Sequence, residues 1–338
     1  MQQLAKRLAE AFGVSGFEEE IRNVIREEIA GLVDEINVDA MGSLVAVKKG
    51  RAAGPSGGGR RVMLAAHMDQ IGLMVTHIDA KGFMRFAPIG GIYPLTCWGS
   101  QVRFADGTIG TVGLDGRAER SKAPELRDMF IDVGAVEKSD VKQKVGDVVV
   151  FWPGFTAQGN TWFSPNQDDR VGCVVLVELL RQLKETPVDH DIYAVFTTQE
   201  EVGIRGARTA GYALEPDLAI ALDVTLTGDL PHASQAMDVS LGKGVAIKIM
   251  DSGMIGHPGL NALLIATAER AGIPYQREVL QGGTTDAAAI QLARAGVPST
   301  ALSLPSRHVH TPSQMVDQRD VEGAVRLLQA FLSGPINL

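Results

Sequence analysis

Ile192-Tyr193-Ala194-Val195-Phe196-Thr197-Thr198-Gln199-Glu200-Glu201-Val202-Gly203 decides how this chain is read. Its first five residues are an apolar run of strand length, expected as a buried strand. Two carboxylates then arrive together, and glycine follows shortly. Adjacent carboxylates at a strand end repel each other and resist burial unless cations are near. Taken alone, such a pair is most often a solvated turn. The rest of the chain changes that. His67 and Asp69 follow the apolar run 61–66, Asp168 and Asp169 precede a Val- and Leu-rich stretch, Asp223 closes the run 218–222, and His310 follows the run 299–304. Ligand-type residues repeatedly sit at the ends of buried strands, and in open α/β sheets that edge is where ligands bind.

The bulk numbers set the frame. The chain has 338 residues, 45% hydrophobic and 21% charged, ordinary for a globular protein with a real core. A formal net charge of -8 argues against a nucleic-acid surface. Cys97 and Cys173 are far apart and in no metal-type spacing, so no disulfide framework is implied and a reducing cytoplasm fits. The first residues carry no apolar signal segment, and no run approaches the roughly 20 residues of a membrane span. A cytoplasmic protein with neither membrane nor nucleic-acid partners is expected.

Along the chain, Leu4, Leu8 and Phe12 keep helical spacing, and Ser15 with Glu18 has the form of a capping box before a second helix carrying Ile21, Val24, Ile25 and Ile29. Residues 54–59 read as a hairpin tip. From about 70 to 163 the pattern turns to short β runs broken by glycine, helical only near 124–129. That length is too long for a loop and large enough for a small domain. The α/β rhythm returns at Asp168, with strands expected at 192–196, 218–222, 245–249, 275–280 and 299–304. Helices are expected at 171–183, 206–211, 258–271 and 286–295, and a last one carries Val321, Val325, Leu328 and Phe331. The fold class is therefore α/β, a mostly parallel covered sheet with an inserted small β-barrel. Residues 1–69 and 164–338 form the α/β domain and 70–163 the insert.

The residue types point to metal chemistry. His67 and Asp69, two apart on a strand, share a side, so Asp69 can hold one imidazole nitrogen and leave the other for a metal. Asp168, at a helix start, has two oxygens with which to bridge cations. Asp223, after five apolar residues, needs a partner. His308 and His310 can share a strand face, and chemistry alone does not choose between them.

Six segments then carry a resemblance. Ala65-Ala66-His67-Met68-Asp69-Gln70-Ile71-Gly72, Asp168-Asp169-Arg170, Gln199-Glu200-Glu201-Val202-Gly203, Asp223-Val224-Thr225, Gly282-Gly283-Thr284-Thr285-Asp286-Ala287 and Arg307-His308-Val309-His310-Thr311-Pro312 occur in the order found in the tetrahedral aminopeptidases. That family includes glutamyl and deblocking aminopeptidases, and some members carry an endoglucanase label. The resemblance spans essentially the whole chain. It implies a co-catalytic site for two divalent ions, zinc first, with cobalt or manganese also fitting the donors. His67, Asp168 and Asp223 would hold one ion. Asp168, Glu201 and His310 would hold the other. Glu200 would be the general base, and Asp69 the partner of His67. It also implies short peptides as substrates and dimers that assemble into a tetrahedral dodecamer through the insert. Asn166-Gln167 before Asp168, and Gln314 after His310, depart from the usual family pattern.

Other functions remain to be weighed against this one. A two-metal deacylase or carboxypeptidase would keep the ligands and need a cation for a carboxylate, for which Arg205 and Arg307 are candidates. A glycoside hydrolase needs two opposed carboxylates and no metal, leaving both histidines and Asp223 without a role. A shell protein stabilised by metal would not need Glu200.

Overall fold

The computed structural model describes residues 1–52, 59–116, 122–233 and 236–338. The expected tip at 54–59 lies, but for Gly59, outside them. Eleven strands of the described residues form one sheet. At its centre Asp191–Thr197, Arg61–His67, Leu218–Thr225 and Ser299–Arg307 run parallel, in that spatial order. Their near-continuous apolar composition is what burial on both faces demands. Leu44–Lys48 and Glu35–Val38 extend one edge antiparallel. On the other side Val245–Met250 pairs antiparallel with Ser299–Arg307 and parallel with Tyr275–Val279.

The two faces differ in side-chain size. Leu64, Ala66, Ile192, Phe196, Leu218 and Ile220 join the larger core, with the helices Gln2–Glu10, Glu19–Ile29, Gln167–Glu185, Pro258–Ala271 and Gln318–Leu332. The opposite face is small: Met63, Ala65, Val195 and Ala219 meet Ala207 and Ala210 of Arg205–Leu214, and Ala289 and Ile290 of Asp286–Ile290. Residues one apart on a strand point to opposite faces, so a single apolar run supplies both cores.

The insert is a closed six-stranded barrel in the order Gly72–Ile78, Met84–Ile89, Met129–Asp132, Ile109–Leu114, Gln101–Phe104, Val148–Trp152. Leu73, Phe86, Val102, Val112, Ile131 and Phe151 are among the side chains filling it. The barrel strands end at Trp152. The hairpin Thr156–Gln158 and Thr161–Ser164, on the insert side of a boundary at 163, hydrogen-bonds through Thr161–Ser164 to Gln314–Asp317 of the main sheet. Its strands, three and four residues long with only Ala157, Trp162 and Phe163 apolar, offer no run long enough to read.

Three local expectations fail for identifiable reasons. The helical stretch at 124–129 is a single tight turn, Leu126–Asp128, because Met129–Asp132 is committed to the barrel. The helix expected over 286–295 stops at Ile290, where i→i−3 bonds from Leu292 and Ala293 tighten the chain before left-handed Arg294. The capping box does not form. The Ser15 hydroxyl instead donates to Asp69 at 2.6 Å, while Glu18 accepts from the amides of Gly16 and Gln199 at 2.7 and 3.2 Å. Long-range buried partners outcompete the local one.

Arg170, fully buried, ties the N-terminal segment to the sheet. Its guanidinium donates to the carbonyls of Leu8, of Ala11 at 3.0 Å and of Gly13 at 3.3 Å, and to Gln70 Oε1 at 3.0 Å. The Leu8 and Ala11 carbonyls close the first helix, where a cation is favoured. Arg170→Met would take the guanidinium from the buried Leu8 and Ala11 carbonyls, while the Gly13 carbonyl keeps the Gln70 amide and Gln70 Oε1 keeps Asn166. It is expected to cost about 3 kcal/mol, read as a lower urea midpoint at unchanged m-value. An unchanged midpoint would show that the segment is held by other means.

Candidate active site

The site grows out of strand register. Thr197 pairs with His67 and Ala221 with Ala65, so Asp223 stands level with His67 and shares its face. Past Thr197 the chain turns at once, with Gln199, Gly203 and Ile204 all at positive φ (54°, 120° and 55°). This departure from a strand lets both Glu200 and Glu201 face the cavity, which adjacent strand residues cannot do.

Asp69 holds that turn. It is fully buried, and its carboxylate accepts from the amides of Glu200 at 3.0 Å and Glu201 at 3.3 Å as well as from Ser15. Its Oδ1 lies 3.5 Å from His67 Nδ1, while its carbonyl oxygen is nearer, at 3.1 Å. Asp69 therefore faces the imidazole with two groups and organises the acidic turn as well.

Asp168 is the centre of the cluster. Its backbone is not helical (φ -77°, ψ 108°), and it stands ahead of the regular helix rather than inside its first turn. Oδ1 is 3.0 Å from His67 Nε2, and Oδ2 is 3.3 Å from His310 Nε2. His310 Nε2 is also 3.3 Å from Glu201 Oε2, and His67 Nε2 is 3.9 Å from Asp223 Oδ1. Among the described residues two groups can thus hold a metal ion, His67–Asp168–Asp223 and Asp168–Glu201–His310, and they share Asp168. Glu200 Oε2 stands 4.0 Å from His67 Nε2 and lines the same cavity. Of the two histidines left open by the sequence, His310 is the one in this cluster; both have left-handed backbones (φ 61° at His308, 60° at His310).

Gln314 is nearly inaccessible, and its Oε1 accepts the Asp168 amide at 2.8 Å. A carboxylate there would make the same bond at the cost of one more buried negative charge. The barrel also reaches the site. A Cβ on Gly91 would lie 2.8 Å from His310 Nδ1, so only glycine fits there without displacing that ring. Tyr93, beside it, lines the cavity, as does the Gly282–Thr284 turn; Trp98 is not among the lining residues.

The electrostatics are those of a site built for cations. Burial pushes Glu200 well above the carboxylate range, and Asp223 and Glu201 add to this against the pull of His67. Burial and Asp168 push Asp223 the same way. Asp168 goes down despite its burial, because His310 and His67 hydrogen-bond to it. His310 is raised to about 11: burial opposes this, but Asp168 and Glu201 outweigh it.

The sign of the pH effect follows. Raised carboxylates and raised imidazoles both bind protons more tightly in the fold than in the unfolded chain, so folding stability falls as pH rises between their unfolded and folded values. Depressed Asp168 loses its contribution only in strong acid. Metal-free protein is therefore expected to melt higher at about pH 6 than at about pH 8, and cation-loaded protein to show a flatter dependence. Calorimetry with and without metal checks this; identical slopes would contradict it.

The sequence model for the M42 glutamyl aminopeptidases matches residues 42–327. The chain belongs to that family. As an M42 member it is an aminopeptidase by class. It is 35% identical to the lysyl aminopeptidase of Pyrococcus furiosus, over 98% of this chain and 96% of that one. Among solved structures, an aminopeptidase of the archaeon Desulfurococcus kamchatkensis superposes with a TM-score of 0.92 at 40% identity, over 98% and 94% of the two chains. The TET1 peptidase of Pyrococcus horikoshii, which can assemble into a tetrahedron or a large octahedral shell, superposes at 0.86 with 31% identity over 98% of each chain. No helix of the described residues of this M42 chain is long and apolar enough to cross a membrane.

Sequence reasoning missed several residues around the site. Asp286 is buried and accepts the Thr197 hydroxyl, yet reads in sequence as an ordinary helix opener. Glu18, pushed up to about 7 by burial, holds the Gln199 amide. Lys248, Asp251 and Glu278 form a buried charge cluster beside the cavity. Lys248 and Asp251 are three residues apart, but Glu278 lies on the neighbouring strand Tyr275–Val279, and only the pairing of the two strands brings it to them.

Proposed function

We propose that this M42 chain removes N-terminal residues from short peptides using two divalent cations. His67, Asp168 and Asp223 would hold one, and Asp168, Glu201 and His310 the other, with Glu200 as general base. The observation that carries the reading is the shared Asp168, one oxygen toward each histidine. The donors suit zinc, with cobalt and manganese also compatible. Buried carboxylates crowded enough to be pushed upward by one another favour cations as their neutralising partners.

Two cations in such a site supply Lewis acidity toward a carbonyl oxygen and make water acidic near neutral pH. The chain's own residues do the rest. Glu200, oriented by the Asp69-held turn, takes a proton from the attacking water at its carboxylate and returns it to the departing amine. Asp69 and Gln314 keep the acidic turn and the bridging carboxylate in place. The barrel would serve self-association into dimers and a tetrahedral dodecamer, as its relative's assembly supports; a monomeric native mass would count against this.

The carboxypeptidase alternative loses its cation. Arg307 is paired with Asp229 at 2.7 and 3.1 Å, Arg205 donates to Gln199, and neither lines the cavity. The test is metal-stripped protein assayed on free-amine and N-acyl chromogenic amides, before and after adding zinc, cobalt or manganese. Metal-restored release from free-amine substrates supports the proposal. Activity confined to blocked substrates overturns it in favour of a deacylase.

A further inference from the structure

The substrate side-chain preference is written in the cavity wall, and it rests on the aminopeptidase reading. The cavity holds about 540 Å³ and runs from the metal-ligand cluster between the ends of several strands. Away from that cluster its aliphatic lining is Ile204, Val224, Leu226, Leu280 and Val309, with Tyr93 and the Gly282–Thr284 turn completing the wall beside Thr225. Among the described residues that line it, Lys248 is the one basic side chain besides His310.

A lysine in such a wall invites the expectation of acidic substrates. Its surroundings remove that expectation. The Lys248 ammonium lies 3.1 Å from Glu278 Oε1 and 3.6 Å from Asp251 Oδ2, and all three side chains are essentially inaccessible. One positive charge faces two negative ones, so no surplus positive charge remains for a ligand. The cluster is also anchored. The Thr225 hydroxyl donates to Glu278 Oε1 at 2.7 Å, and Asp251 Oδ1 accepts from the amides of Gly253 and Met254 at 2.8 Å and from the Thr284 hydroxyl at 3.1 Å. Turning Lys248 toward a substrate carboxylate would strip two buried anions of their partner, which is strongly unfavourable. A substrate ammonium fares no better, because Lys248 stands between the cavity and both carboxylates.

We propose that this cavity binds the N-terminal side chain, that it takes neutral aliphatic residues of leucine or methionine size, and that the Lys248–Glu278–Asp251 cluster excludes acidic and basic ones. Apolar walls gain from burying such a side chain, whereas a charged one loses its hydration without a partner. Glu278 is the specificity-determining residue, acting through Lys248. Glu278→Gln keeps an oxygen for Thr225 and removes the nearer of the two negative charges, leaving Lys248 the Asp251 carboxylate at 3.6 Å and a weaker hold against turning toward the cavity.

The experiment measures kcat/KM of the metal-loaded enzyme on leucyl, methionyl, glutamyl and lysyl p-nitroanilides. The leucyl and methionyl substrates are expected to exceed the glutamyl one by about 100-fold or more, with the lysyl substrate also well below them. In Glu278→Gln the leucyl-to-glutamyl ratio is expected to fall about 10-fold, mainly through a lower KM for the glutamyl substrate. Wild type that prefers glutamyl or lysyl substrate overturns the proposal, as does a folded Glu278→Gln variant with an unchanged ratio. Inhibition of the wild type by free L-leucine and L-glutamate needs no variant: stronger inhibition by leucine supports the proposal, and equal or stronger inhibition by glutamate overturns it. Hydrolysis of none of the four, with metal bound, overturns the aminopeptidase reading and this inference with it.

Discussion

Glu200→Gln is expected to lower kcat by about 10²–10⁴-fold while two cations remain bound. The substitution keeps the side chain's size and the backbone amide bond to Asp69, which fixes the turn. What it removes, on the proposed mechanism, is the proton acceptor. Neither metal-ligand group includes Glu200, so metal content should stay at the wild-type value. KM should change little, because the loss falls on the transition state rather than on substrate binding. The metal-free variant should not melt lower than metal-free wild type, since a carboxylate crowded by burial and by Asp223 is a cost that glutamine lifts. A variant that keeps near-wild-type kcat would remove Glu200 from the mechanism and favour a metal-stabilised shell.

Asp168→Asn is expected to act differently: metal binding itself fails. The two Asp168 oxygens face the two histidines, and an amide offers one oxygen and a donating nitrogen in their place. Both groups lose the same ligand and a negative charge. Bound metal, measured by elemental analysis after dialysis, should fall from two ions to one or fewer. Activity should fall by at least about 10³-fold, since on the proposed mechanism the several kcal/mol that two cations would supply are withdrawn together. The contrast with Glu200→Gln is the informative part. Full metal occupancy in Asp168→Asn would refute the bridging role, whatever the rate.

Much of this was legible from sequence because the strands are buried on both faces. An apolar run that ends abruptly in His67 or Asp223, or in the short polar turn before Glu200, marks both a strand and the edge where it leaves the core. The inserted barrel was legible for a related reason: its short alternating runs carry no helical period. What could not be read depends on register and on distant partners. Ser15 and Glu18 have a capping-box spacing, but in the fold one serves Asp69 and the other Gln199. Lys248 sits in a run of strand residues and gives no sign that Glu278, thirty positions on, neutralises it. Gln314 looked like a departure from a family pattern, and only the pairing of its strand brings it to the Asp168 amide. The hairpin of 156–164 falls, up to residue 163, on the insert side of the boundary read from sequence, because nothing in so short a stretch announces its attachment to the main sheet.

The order of the central strands also bears on how the protein is made. His67, Asp168, Asp223 and His310 are spread along the chain, and the barrel separates the first two. Leu218–Thr225, which carries Asp223, lies between Arg61–His67 and Ser299–Arg307, the latter synthesised some 75 residues afterwards. The ion group containing His310 cannot close until nearly the whole chain exists, and the other stands on a sheet that is still missing a central neighbour until then. Pairings so far apart in sequence form slowly, because loop closure is paid before contacts reward it. A nascent or truncated chain would therefore carry its crowded carboxylates without the geometry to capture metal, and hydrolytic power would arrive only with the finished molecule.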